Sequence, residues 1–189
     1  MKWSLHIFAA TSLGIVFMLS GCAKETPAPI EIADKPDQTL AVIVPGAGTY
    51  SRSISTDSEE AQAFFDQGLR FAWGFYFPES IASYQQAAAA DPSHPMPHWG
   101  MAHAMGPNPN SRYARMPDDP KGEGLKAIMR AKDRIERADP LEAELINALH
   151  ILYDKASIPD DAERDRAYLA AMRKIQHANP DDSDITALY

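Results

Sequence analysis

From Thr56 onward, apolar residues recur three and four places apart in short runs, and each run is punctuated by Asp91-Pro92, Asp139-Pro140 or Asn179-Pro180. That spacing puts one greasy stripe on an α-helix, and proline cannot continue a helix interior, so the chain is confined to short helices that must bury one face against a neighbour. The first run is Ala61, Phe64, Phe65, Gly68, Leu69, Ala72 and Phe75, with Thr56 and Glu59 spaced as a capping box. A second helix is expected to open at Pro78-Glu79, carry Ile81, Tyr84 and Ala88, and stop at Asp91-Pro92. Pro97 to Met105 carries Trp99, Met101, Ala102 and Met105, and the Pro- and Asn-rich stretch from Gly106 to Lys121 is an irregular insertion. Helical spacing resumes at Leu125, Ile128, Met129 and Ile135. Asp139 with Glu142 opens a helix bearing Leu145, Leu149 and Leu152, and Asp160 with Glu163 opens another bearing Tyr168, Ala171, Met172 and Ile175. Ile185, Leu188 and Tyr189 begin one more helix, which remains incomplete.

A 34-residue template underlies the first pair of helices. Counting Ala61 as its first position, small residues stand at Gly68, Ser80 and Ala87, aromatic ones at Phe64, Phe71 and Tyr84, and a terminator at Pro92. Small residues let two helices approach closely, and aromatic rings fill the space between them. This pattern is similar to the tetratricopeptide repeat. Shifted by 34 residues, it places Ala102 and Met105 in register before the insertion interrupts it. The strings TDSEEAQAFFDQGLRFAWGF and HWGMAHAMGPNPN resemble a subgroup of bacterial tetratricopeptide-repeat proteins with a WG…GPN segment, whose members are usually longer. The resemblance implies an all-α fold of antiparallel helix pairs forming a short solenoid. Residues 56–92 make its best repeat, 95–139 an interrupted one, 140–180 a degenerate pair, and 183–189 the start of a further helix in a chain expected to be truncated.

The amino terminus has a different character. Lys2 precedes an apolar segment from Ile7 to Leu19, and Leu19-Ser20-Gly21-Cys22 ends it at the chain's one cysteine. The segment is too short to span a bilayer stably and resembles a bacterial lipoprotein signal over residues 1–21, with Cys22 as the lipidated residue. Lys24, rather than an aspartate, favours the outer membrane of a two-membrane host. Residues 22–55 read as a flexible linker broken by Pro27, Pro29 and Pro36, and Leu40 to Val44 is a short apolar run that either adds a strand or lies on the helical domain.

Removing residues 1–21 takes away Lys2 and no acid, so the formal charge moves from −8 to −9. Such a chain is repelled by nucleic acid. The Gly-rich and nucleophile motifs of phosphate-binding and hydrolytic enzymes are missing, no CxxC pair exists, and no enzymatic activity or cofactor is expected. Glu142, Glu144, Asp160 and Asp161 are expected to be first-turn residues. Histidines and methionines gather at His94, Met96, His98, Met101, His103 and Met105, a chemistry that suits copper, with His94, His98 and His103 as weak ligand candidates. Yet His98 and His103 point about 140° apart on a helix, and methionine on a core stripe is ordinarily filler. Surplus aromatics at Trp73 and Tyr76 suit a peptide-binding surface. The expectation is therefore an envelope-anchored scaffold that binds an unidentified protein segment through Gln67, Arg70, Trp73, Gly74 and His98. A periplasmic metal-handling protein and an accessory subunit of an envelope enzyme are the alternatives.

Overall fold

Helix α1 (Glu59–Trp73) begins where Ser58, not Thr56, accepts a hydrogen bond from the free Ala61 amide at 3.1 Å. The expected Thr56–Glu59 box does not form: the Thr56 oxygen accepts from the Ser58 amide at 3.2 Å, and its hydroxyl donates to Asp91 at 2.7 Å, which pins the entry of α1 to the exit of the next helix. The stripe Ala61, Phe64, Phe65, Gly68, Leu69 and Ala72 is buried as its spacing requires. Phe75 is not part of it. The helix stops at Gly74, and Phe75 turns outward with a positive φ of 63° and more than half its surface exposed. The link Gly74-Phe75-Tyr76 is short enough to force α2 (Phe77–Ala90) back along α1 as a hairpin, with Pro78 in its first turn.

The computed structural model describes residues 40–106 and 116–189, and among them there are seven α-helices and no strand. The lipoprotein signal, Cys22 and most of the insertion lie outside the described residues. After α2 come α3 (Met96–Met105), α4 (Pro120–Lys132), a 3-10 turn (Ile135–Arg137), α5 (Pro140–Tyr153), α6 (Asp161–Ala178) and α7 (Ser183–Leu188). Each helix packs on the next in sequence, while α1 also touches α3 and α3 also touches α5. Helices α1, α3 and α5 thus form one row, and each even-numbered helix packs against its two neighbours in sequence. Helix α3 lies at the centre, and every residue in it except His103 is buried. A helix apolar on all sides is what a central position demands.

Missing side chains set how closely these helices approach. Tyr84 of α2 is fully buried, with its ring in a notch between α1 and α3. A β-carbon added at Gly68 would fall 2.7 Å from that ring, and one added at Gly100 would fall 2.5 Å from it. Ser80 ties α2 to α1 by donating to the Gly68 carbonyl at 2.7 Å, and Ala87 is fully buried one turn beyond Tyr84. The device recurs further along the chain. Gly124 of α4 leaves room for the ring of Tyr153, whose hydroxyl donates to the Ala102 carbonyl of α3 at 2.5 Å.

Helix α4 departs from the expected stripe. Leu125 and Met129 are each about two-fifths exposed, while Gly124, Ala127, Ile128 and Ala131 face inward. The small residues win the interior because α3 and α5 leave little room on that side. The helix ends at Lys132, so Ile135 belongs to the 3-10 turn, and it begins at Pro120, inside the stretch expected to be irregular. Helix α5 opens with the expected box, in which Asp139 accepts from the Glu142 amide and Glu142 accepts from the Asp139 amide. Ile185 of α7 is completely buried, and Tyr168 of α6 donates to the Leu188 carbonyl at 3.1 Å.

Candidate functional site

The described part of the segment expected to be a flexible linker, Leu40 to Ser55, is instead held against the helices through its backbone. A chain in irregular conformation must still pair its buried amides and carbonyls, and here helix side chains do so. Gln67 accepts from the Val44 amide at 2.8 Å and donates to the Val42 carbonyl at 3.0 Å. Gln62 accepts from the Ile54 amide at 2.9 Å and donates to the Arg52 carbonyl at 2.9 Å. In both cases one side-chain amide bridges a carbonyl and the amide two residues on, which is how a neighbouring strand pairs in a sheet. Asp66 adds a bond from the Arg52 amide at 3.0 Å and one from the Ser51 hydroxyl at 2.7 Å, and Arg70 donates to the Tyr50 carbonyl at 2.7 Å. The segment straddles α1, with a turn at 45–47 joining its two arms.

Two side chains of the second arm have fitted seats. The Arg52 guanidinium meets Asp182 at 2.8 Å and Asp184 at 3.2 Å, joining the linker to the start of α7. Burial raises the Asp182 carboxyl, but the Ile185 amide and the Arg52 charge outweigh it and hold the group below its ordinary value. Ile54 enters the core with only 7% of its surface exposed. Val42, Ile43 and Val44 of the first arm are all exposed while Ala41 packs against the core, so that arm is held chiefly by its backbone.

Ser55 ends the arm in a cluster that chain position does not suggest. Its hydroxyl donates to Glu142 at 2.5 Å and lies 3.1 Å from His94 Nε2, and its amide donates to the other Glu142 oxygen at 2.8 Å. Serine, histidine and glutamate together invite comparison with a hydrolytic triad, but the order is wrong. His94 Nδ1 accepts from the Met96 amide at 3.2 Å, so the proton of the neutral ring is on Nε2 and points at the serine. A histidine that donates to the serine oxygen cannot remove its proton. The cluster acts as a clasp joining the linker to the starts of α3 and α5.

The residues expected to meet a partner are dispersed. Gln67 is buried and Arg70 half-buried, both engaged by the chain's own linker, and His98 is buried inside the α3 packing. Gly74 is exposed at the helix link. Trp73 borders a groove of about 350 Å³ that also takes in Phe77, His103, Leu149, Tyr168 and Leu188. Of the expected repeat positions, Phe64, Gly68, Ser80, Tyr84 and Ala87 are buried, Phe71 is half-buried and packs edge-on to Tyr76, and Pro92 is exposed. The histidine and methionine group does not form a common site: Met96, Met101 and Met105 are core side chains, His94 belongs to the clasp, and no group of three or more His, Cys, Asp or Glu among the described residues is arranged to hold a metal ion.

His103 stacks on Trp99 at 5.4 Å between ring centroids and meets Trp73 edge-on at 5.9 Å. Its Nδ1 is buried without a hydrogen-bond partner. Burial pushes its pKa down from 6.5 to about 4, with Asp184 opposing weakly. The unfolded chain therefore binds a proton in this window that the folded chain refuses, so stability is full above pH 6.5 and falls as the pH drops toward 4. Urea titrations across that range should show His103→Gln losing less stability than the wild type, by on the order of 1–2 kcal/mol. Identical pH slopes in the two proteins would contradict the assignment.

No protein-family model matches the chain, and no curated protein or solved structure matches it. Among the described residues no helix is long and apolar enough to cross a membrane.

Proposed function

We propose that this chain is a lipid-anchored scaffold of the bacterial cell envelope, with a short tetratricopeptide-like array that binds an extended segment of another protein. The observation that carries the reading is the grip of α1 on an extended backbone through Gln62, Asp66, Gln67 and Arg70. Main-chain bonds of this kind give affinity without demanding a particular sequence, and adjoining seats such as that of Arg52 supply selectivity. The packing of Gly68, Ser80, Tyr84 and Ala87 supports the repeat-like reading, and the apolar groove at Trp73 extends the binding surface. Acylation at Cys22 accounts for the lipoprotein-like signal, and its absence in Cys22→Ser should move the protein to the soluble envelope fraction.

A photo-activated cross-linking residue in place of Trp73 tests the scaffold in intact envelopes. It should give one discrete protein adduct, while the same residue in place of the exposed Lys174 of α6 should give none. Equal labelling at both positions, or none at Trp73, would remove the reading.

A further inference from the structure

Arg52 to Ser55 is built like a bound ligand. It lies in an extended stretch, its backbone is clamped by Gln62 and Asp66, its guanidinium fills the acidic seat of Asp182 and Asp184, and its aliphatic side chain at Ile54 is the one that enters the core. Ser55 then closes on Glu142. The seat is built by α1, which follows the linker directly, and by α5 and α7, which lie far from it in sequence. Flanking residues Val42, Ile43 and Val44 put their side chains toward solvent, Tyr50 reaches Asp184 and Ser183 with its hydroxyl, and Ile54 is the one of these that anchors the linker by apolar burial. An acidic protein that places a basic group of its own in an acidic slot has a surface complementary to basic segments in general.

We propose that residues 50–55 are a displaceable internal ligand, occupying the seat of a partner's extended segment whose pattern is a basic residue, any residue, an aliphatic residue and a hydroxyl residue. This rests on the scaffold reading and names the partner's chemistry. A partner segment of that type binds by exchange: its arginine or lysine takes Asp182 and Asp184, its aliphatic side chain takes the Ile54 position, and the linker leaves. The free chain is therefore held in a self-occupied state, and its apparent affinity for a partner is reduced by the fraction of time the seat is closed.

The test uses the full chain and a fluorescein-labelled peptide of residues 49–57, capped at both ends, read by anisotropy. Arg52→Ala should bind the peptide at least tenfold more tightly than the wild type does, because the internal competitor has lost its charged anchor. Replacing arginine by alanine in the peptide, or adding Asp184→Asn to the protein, should return binding to the wild-type level or below. Ile54→Ala removes the other anchor and should open the seat in the same direction. Peptide binding by both variants no tighter than by the wild type, with helical circular dichroism intact, would overturn the proposal. Unfolding of both variants would overturn it equally, since the linker would then be an integral part of the fold. Purified protein and the chain's own peptide suffice here, so failure of this exchange is distinguishable from failure to find an envelope partner through Trp73.

Discussion

Tyr84→Ala should cost about 3–5 kcal/mol of stability in urea unfolding, and Tyr84→Phe should cost nothing measurable or add up to about 1 kcal/mol. The two expectations come from one arrangement. The ring is fully buried in the notch made by Gly68 and Gly100, so removing it leaves a cavity at the junction of three helices. The hydroxyl lies in that interior without a hydrogen bond of good geometry, and Ser80, the hydroxyl beside it, donates to the Gly68 carbonyl. Burial accordingly raises its pKa well above the ordinary value for tyrosine. Phe keeps the ring and discards an unpaired polar atom. Gly68→Ala on its own should destabilise by about 1–3 kcal/mol, because its β-carbon would meet the ring at 2.7 Å. Combined with Tyr84→Ala it should cost less than the sum of the two, since the ring it meets is gone. Additive costs would mean that the ring and the glycine are not in contact.

The second large effect is expected at Glu142. One of its oxygens accepts from the Ser55 amide, and the other accepts from the Ser55 hydroxyl and the Asp139 amide. Glu142→Ala removes half of the capping box, leaves the Ser55 and Asp139 amides unpaired and leaves the Ser55 hydroxyl only the Arg137 carbonyl at 3.3 Å, which should cost about 2–4 kcal/mol. Gln at this position still accepts through one oxygen but presents an amino group where the other stood, so a loss of about 1–2 kcal/mol is expected. Glu144→Ala, two places along on the exposed side of the same helix, should change stability by less than about 0.5 kcal/mol. Denaturant midpoints for the three variants provide the comparison, and equal effects at Glu142 and Glu144 would show that the clasp contributes nothing beyond a surface cap.

The helices themselves could be read from the chain, because a stripe at helical spacing and proline punctuation act locally. Gly68, Ser80, Tyr84 and Ala87 could be read too, since their sizes alternate in a pattern that only close helix packing explains. Leu125 and Met129 misled because periodicity says that a face is buried and not which of two neighbouring faces wins. On α4 the competing face carries Gly124, Ala127 and Ala131, and the tighter fit prevails. Asp66 and Gln67 gave no apolar signal at all, yet both are buried because their partners are backbone atoms of the linker. The bond from Arg52 to Asp182 spans 130 residues, and nothing in either neighbourhood announces the other. Ser55 is a hydroxyl in a linker whose importance comes only from the Glu142 that the fold brings to it. Thus the local architecture was accessible from sequence, whereas the linker's attachment depended on long-range polar pairing.

Amide hydrogen exchange along residues 40–55 tests the central claim most directly, namely that helix side chains clamp this segment by its backbone. The amides of Val44, Arg52, Ile54 and Ser55 donate to Gln67, Asp66, Gln62 and Glu142 and should exchange slowly. Those of Ile43 and Ser53 make no hydrogen bond among the described residues and should exchange near the rate of an unfolded chain. Slow amides alternating with fast ones across the segment is the result expected. Uniformly fast exchange from Leu40 to Ser55 would contradict the account.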